Sequence, residues 1–257
     1  MRRGLILGIL GLAALVSCSV KEDRSDCPCY LEVDLSYARA ESVQLRGWTS
    51  REVFSDAIPA KSFKAFHEYM VPRGQVRVTA IGNTFELVPQ GYALTIEEGH
   101  QMDSLFACSN LVDTQGEIAR NEVLLRKNFA TIGIDFKDED DGRTAYDLLV
   151  SGTVFGVDVR TLEPVEGRFS CEPDPVEDGR GYSFRVPRQK DESLKLTLSY
   201  AGKPVEDIDL GYLIARSGFD WNSTDLGDVS ILCDLPAHTF TITVKEWEGP
   251  VTFNITI

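Results

Sequence analysis

The chain has 257 residues, 43% of them hydrophobic, and a formal net charge of −14. That length and apolar content give one large or two modest folded domains and exclude a disordered chain. The acidic balance excludes nucleic acid as a partner, because phosphate binding needs clustered Lys and Arg to displace counterions, and it also argues against basic-patch attachment to anionic lipid.

In chain order, the first element is an export signal. Arg2 and Arg3 precede an apolar run from Leu5 to Val16, followed by Ser17 and Cys18. A charged start, a short apolar stretch and a small residue before the cut make a cleavable signal over 1–17. The run is too short for a bilayer core that needs about 20 residues, and no other segment is apolar enough to span one. Leu15-Val16-Ser17-Cys18 resembles the lipobox of bacterial lipoproteins, which implies lipidation of the Cys18 thiol. Loss of Arg2 and Arg3 with the signal takes the mature charge to −16. Residues 18–29 are mostly polar and read as a tether between lipid and fold.

Beyond the tether the pattern has period two. Leu31, Val33, Leu35 and Tyr37 alternate with Glu32, Asp34 and Ser36, the signature of a half-buried strand. The segment Lys61 to Val71 fits a helix or a strand. Val76–Ala80, Ile132–Phe136, Leu194–Tyr200, Phe240–Val244 and Val251–Ile257 repeat the alternation. Between them lie turn residues: Pro72-Arg73-Gly74, Gly82-Asn83, Pro89-Gln90-Gly91, Asp141-Gly142, Asp178-Gly179 and Glu248-Gly249-Pro250. The acidic run Asp138 to Asp141 fails the EF-hand spacing, with Gly142 already at position 5 and Leu149 at position 12; it reads as a hairpin turn between strands 131–137 and 144–150. Many short alternating strands with turns between them predict an all-β chain, with one β-sandwich over 30–124 and a second over 125–257.

Candidate chemistry is sparse. His67, His100 and His238 lie in unrelated stretches, and no nucleophile, metal-binding or nucleotide motif accompanies them. The reading therefore assigns no enzyme activity, metal or cofactor. With Cys18 lipidated, Cys27, Cys29, Cys108, Cys171 and Cys233 remain; five cannot all pair within one chain. Cys27 or Cys29 bridging to a partner such as Cys108, and Cys171 to Cys233, are the possible disulfides, with connectivity open. Cys27-Pro28-Cys29 is too tight for the C-x-x-C spacing of a zinc site. Asn222-Ser223-Thr224 and Asn254-Ile255-Thr256 match the N-glycosylation triplet, and Asp103-Ser104-Leu105 resembles a short O-glycosylation motif of Bacteroidota.

Several segments in order resemble one family. Cys18-Ser19-Val20-Lys21-Glu22-Asp23-Arg24-Ser25-Asp26-Cys27-Pro28, Val71-Pro72-Arg73-Gly74 before Val76-Arg77-Val78, Leu125-Arg126-Lys127-Asn128-Phe129-Ala130, and Ile242-Thr243-Val244-Lys245-Glu246-Trp247 are similar to stretches of the FimB-like, fimbrillin-A-associated anchor lipoproteins of Bacteroidales. The resemblance implies two tandem transthyretin-like β-sandwiches displayed on the outer membrane at the base of a type V pilus. It implies a fimbrial stalk subunit (fimbrillin) as partner, docked by strand exchange, and Lys21-Glu22-Asp23 resembles a surface-export signal of that phylum. The doublet Cys27-Pro28-Cys29 departs from the family pattern. The C-terminal run 251–257 is the candidate exchange strand; the plainer alternative is a last core strand. A competing function is a surface module binding a glycan or peptide through Trp48, Trp221 or Trp247.

Overall fold

The computed structural model describes residues 27–137, 146–176, 181–246 and 249–256. The signal, Cys18, the acidic run at 138–141, Asp178-Gly179 and Trp247 lie outside them. The strands are β1 (Cys29–Asp34), β2 (Ser42–Trp48), β3 (Glu52–Pro59), β4 (His67–Val71), β5 (Gln75–Gly82), β6 (Val88–Gln90), β7 (Ala93–Thr95), β8 (Phe106–Asp113), β9 (Ile118–Glu122) and β10 (Arg126–Lys127). They continue as β11 (Phe129–Phe136), β12 (Asp147–Asp158), β13 (Pro164–Cys171), β14 (Gly181–Pro187), β15 (Lys195–Tyr200), β16 (Lys203–Ile208), β17 (Asp228–Asp234), β18 (Thr239–Glu246) and β19 (Gly249–Thr256). One helix, α1 (Leu210–Arg216), interrupts them.

Two sandwiches result, as the alternation predicted. In the first, the sheet β4-β1-β9 covers the sheet β10-β8-β5-β2-β3. Period-two burial explains why: Leu31 and Val33 of β1 face Val43, Leu45, Val76 and Val78 in one core, while Tyr30, Glu32 and Asp34 point away. In the second, β14-β11-β17-β18-β19 packs on β16-β15-β12-β7-β6. Ile132, Ile134, Phe184, Leu196, Ile231 and Ile242 fill its core. Helix α1 adds Leu210, Leu213 and Ile214 to the same core.

The sheets are not separable at residue 124. Hairpin β6–β7 comes from the first half of the chain, yet Ala93–Thr95 pair with Gly156–Asp158 of β12. Strand β12 carries β13 along one edge and β15, then β7, along the other. Gly156 makes the join possible: a Cβ there would sit 2.4 Å from the Leu94 carbonyl oxygen. Ile96, Met102 and Leu105 belong to the second core. In return, β10 at 126–127 pairs with β8 in the first sandwich.

Two further expectations change. β11 and β12 lie in opposite sheets, so these two strands do not pair as the hairpin expected of 131–137 and 144–150. The span 61–71 holds a 3₁₀ turn at Ala60–Ser62 and strand β4, with no α-helix.

Candidate functional site

The C-terminal hairpin defines the site. β18 and β19 pair from Thr239↔Thr256 to Glu246↔Gly249. On one face the hydroxyl of Thr241 bonds the side-chain oxygen of Asn254 at 2.9 Å, and Thr243 meets Thr252 at 3.2 Å. On the other face Phe240, Ile242 and Val244 of β18 are buried, but Val251, opposite Val244, is 49% exposed. The core ends under β18, and β19 overhangs it as an edge strand.

That edge is chemically unusual for this protein. Edges are normally blunted by charge, proline or shortness, because unpaired N–H and C=O groups template further strands. β3, β4, β9 and β16 carry charged residues, and β6 is three residues long with Pro89 in the middle. The outer side of β14 meets Pro175, which bridges Tyr182. β19 runs eight residues without a charge, and its single proline, Pro250, sits at its start. It is the run expected as an exchange strand, and the structure makes it the sheet's edge rather than its middle.

The first described residues are fixed to the first sandwich. Cys27 is exposed. Its carbonyl accepts a hydrogen bond from Arg73 Nε at 2.7 Å, and the same guanidinium bonds the Gln115 carbonyl. Tyr30 N–H donates to Glu117 at 2.8 Å. Cys27 is therefore held at the end of the middle strand of the sheet β4-β1-β9.

The cysteines do not form the expected bridges: Cys27, Cys29, Cys108, Cys171 and Cys233 are all free thiols. Cys29 and Cys108 sit on facing sheets of one core, and Cys171 and Cys233 on facing sheets of the other. Burial pushes the Cys108 thiol up to about 11 and those of Cys171 and Cys233 up to about 12, so these groups behave as small apolar side chains.

Other candidates take structural roles. Trp48 is 5% exposed and donates to the Thr79 hydroxyl at 3.0 Å, and Trp221 packs against the second core. Neither offers a ligand platform. Asp103 is buried and accepts N–H bonds from Phe85, Glu86 and Leu87 at 2.7, 2.9 and 3.1 Å. It fixes the loop leading into β6, and Leu105 beside it is also buried, so the triplet 103–105 is a packing element. The three histidines stay apart, and no group of three metal-binding side chains occurs among the described residues.

One arrangement was not legible beforehand. β12 breaks register with β13 around Val154, and beside the irregularity lies a cleft of mixed character lined by Glu98, Leu149, Thr153, Arg168, Phe169 and Ser193. Asp191 beside it accepts from Ser193 N–H at 2.9 Å and lies 3.3 Å from the Thr153 hydroxyl. The Ser193 hydrogen bonds, aided by Thr153, hold its carboxyl below the usual range. Strand pairing decides where such an irregularity falls, and periodicity within one strand does not report it.

No family model and no curated protein matches this chain. Solved structures match its fold. A DUF1812 protein of Bacteroides thetaiotaomicron, described as a candidate polysaccharide-binding protein, aligns with a TM-score of 0.62 at 14% identity, over 90% of this chain and 99% of that one. A candidate adhesin of Bacteroides ovatus aligns at 0.55 and 13% identity, over 91% and 97%. The fimbrial anchor protein Mfa2 of Porphyromonas gingivalis aligns at 0.55 and 12%, over 86% and 98%. At such identities the likeness is one of fold: two tandem sandwiches across nearly the whole length of each protein.

Proposed function

We propose that this chain is a lipid-anchored outer-membrane surface protein that fixes a fimbria to the cell by docking a fimbrial subunit. The observation that carries the reading is the pairing of opposite ends. A lipobox-like Cys18 precedes the first sandwich, and an uncharged open edge, β19, closes the second. The shared fold with the Mfa2 anchor supports it.

Strand addition suits the edge. Main-chain hydrogen bonds along β19 give affinity, and alternate side chains give register. Val251 and Phe253 alternate with Thr252 and Asn254, so a docked strand meets an apolar row on one face and a hydroxyl-amide row on the other. Lipid on Cys18 contributes about 0.8 kcal/mol per buried methylene, and two or three chains hold a protein stably at a membrane.

Purification from outer membranes under mild detergent tests the reading. A fimbrial subunit that copurifies with the intact chain and is lost from a chain lacking 251–257 supports it, provided circular dichroism shows the truncated chain folded. Copurification of a glycan without any fimbrial subunit overturns it.

A further inference from the structure

The outward face of the sheet β4-β1-β9 is divided along its length. At the corner where the tether arrives, Met70, Tyr30 and Ile118 stand side by side, since Tyr30 pairs with Met70 on one neighbour and with Ile118 on the other. They are 67%, 52% and 60% exposed, and residues directly opposite on neighbouring strands share a face. The next row outward is Glu68, Glu32 and Arg120, with Arg120 Nε 2.7 Å from Glu32. Beyond it Asp34 pairs with Glu122. Just before β4 the half-exposed Phe66 ring lies 5.9 Å from the Arg120 guanidinium, so one end of the face is apolar and the other mixes charged groups with a single aromatic ring.

We propose that this apolar row is a membrane-contact surface: once Cys18 carries lipid, Met70, Tyr30 and Ile118 rest in the headgroup layer and set the tilt of the first sandwich. The inference rests on the lipid-anchor reading of Cys18. The occupant follows from the tether. Eight residues lie between Cys18 and Cys27, a span of nine steps that reaches at most about 32 Å when extended, and Arg73 pins its far end beside this row. Three side chains are too few for a second copy, because a stable dimer buries about 800 Å² per partner. The mature acidic charge opposes attachment through anionic headgroups, so contact through apolar side chains is insensitive to salt.

Hydroxyl-radical footprinting of the full lipidated chain tests this, on vesicles of phosphatidylethanolamine and phosphatidylcholine, with lipidation confirmed by intact mass and the Cys18→Ala chain as the soluble reference. Oxidation of Met70 and Tyr30 is expected to slow several-fold on vesicles, in low and high salt alike. Tyr37 and Tyr200, exposed elsewhere, are expected to react as in the soluble chain. In the lipidated M70S/I118S variant, whose changes are confined to the surface, Tyr30 is expected to regain its soluble rate. Unchanged Met70 oxidation on a lipidated, vesicle-bound chain overturns this proposal and leaves the anchor reading standing. Absence of lipid on Cys18 overturns both. Protection in native membranes but not on vesicles assigns the row to a protein partner, and protection that grows with the soluble chain's concentration assigns it to self-association; either overturns the membrane contact.

Discussion

Asp158 holds the joint between the two sandwiches through a short run of contacts. Its carboxylate takes the Arg160 guanidinium at 2.8 Å. The guanidinium lies 4.2 Å over the Tyr92 ring, Tyr92 packs edge-on against Trp48, and the Arg160 carbonyl accepts from the Ser109 hydroxyl at 2.7 Å. Burial raises the Asp158 pKa, but hydrogen bonds from Arg160 and Thr161 outweigh it and leave the carboxyl below its ordinary value. A depressed folded pKa means stability that is present above the unfolded value near 3.9 and is lost as pH falls through the folded value. Asp158→Asn is expected to lose about 1 kcal/mol at pH 7, since Arg160 is partly exposed and screened. Urea melts at pH 7 and pH 3 check it: the difference between variant and parent is expected to shrink at the lower pH. The thiols give a second test at this scale. In a folded Cys18→Ala chain, iodoacetamide is expected to modify Cys27 alone, and Cys29, Cys108, Cys171 and Cys233 only after denaturation, as read by peptide mass spectrometry.

At the scale of elements, most strands were legible because one face of each is buried: β1, β5, β11, β15 and β18 carry the alternation that a two-layer core imposes. What was illegible is which strand lies beside which. Pro89-Gln90-Gly91 reads as a turn, but Pro89 and Gln90 belong to β6, and the pairing of its hairpin partner β7 with a strand some sixty residues later depends on Gly156, whose spacing from Leu94 no local pattern encodes. Helix α1 escaped notice because Leu-Gly-Tyr-Leu-Ile-Ala-Arg spans barely two turns and buries residues on most sides. The proposed anchor and docking edge divide the same way: Cys18 is legible as a motif, whereas the edge position of β19 follows from sheet order. Gly156→Ala is expected to destabilise the fold by about 1–3 kcal/mol, through the clash with the Leu94 carbonyl, in a chemical denaturation series. Asn254→Lys, on the exposed face of β19, is expected to shift stability by less than about 0.5 kcal/mol while abolishing capture of the fimbrial subunit. Loss of folding would instead make β19 a core strand.

For the whole molecule, the exchange of β6–β7 one way and β10 the other makes the sandwiches a single mechanical body. Arg126 to Asp225 at 2.9 Å and Arg185 Nε to the Met102 carbonyl at 2.7 Å add polar ties across the same joint. Such a joint suits the proposed role of carrying load between a membrane and a fibre. Calorimetry of the intact chain is expected to show one transition, and a fragment of 125–257 is expected to lack stable structure by circular dichroism. Without Leu94, Ile96, Met102 and Leu105 its core is open. Two separate transitions would show that the sandwiches fold independently. The anchoring account meets its most direct measurement in the cell: Cys18→Ala, expressed in place of the parent, with lipid labelling and fibres counted on cells and in the medium. Loss of label with fibres shed into the medium is the predicted result, and fibres that stay cell-bound on the unlipidated chain would contradict it.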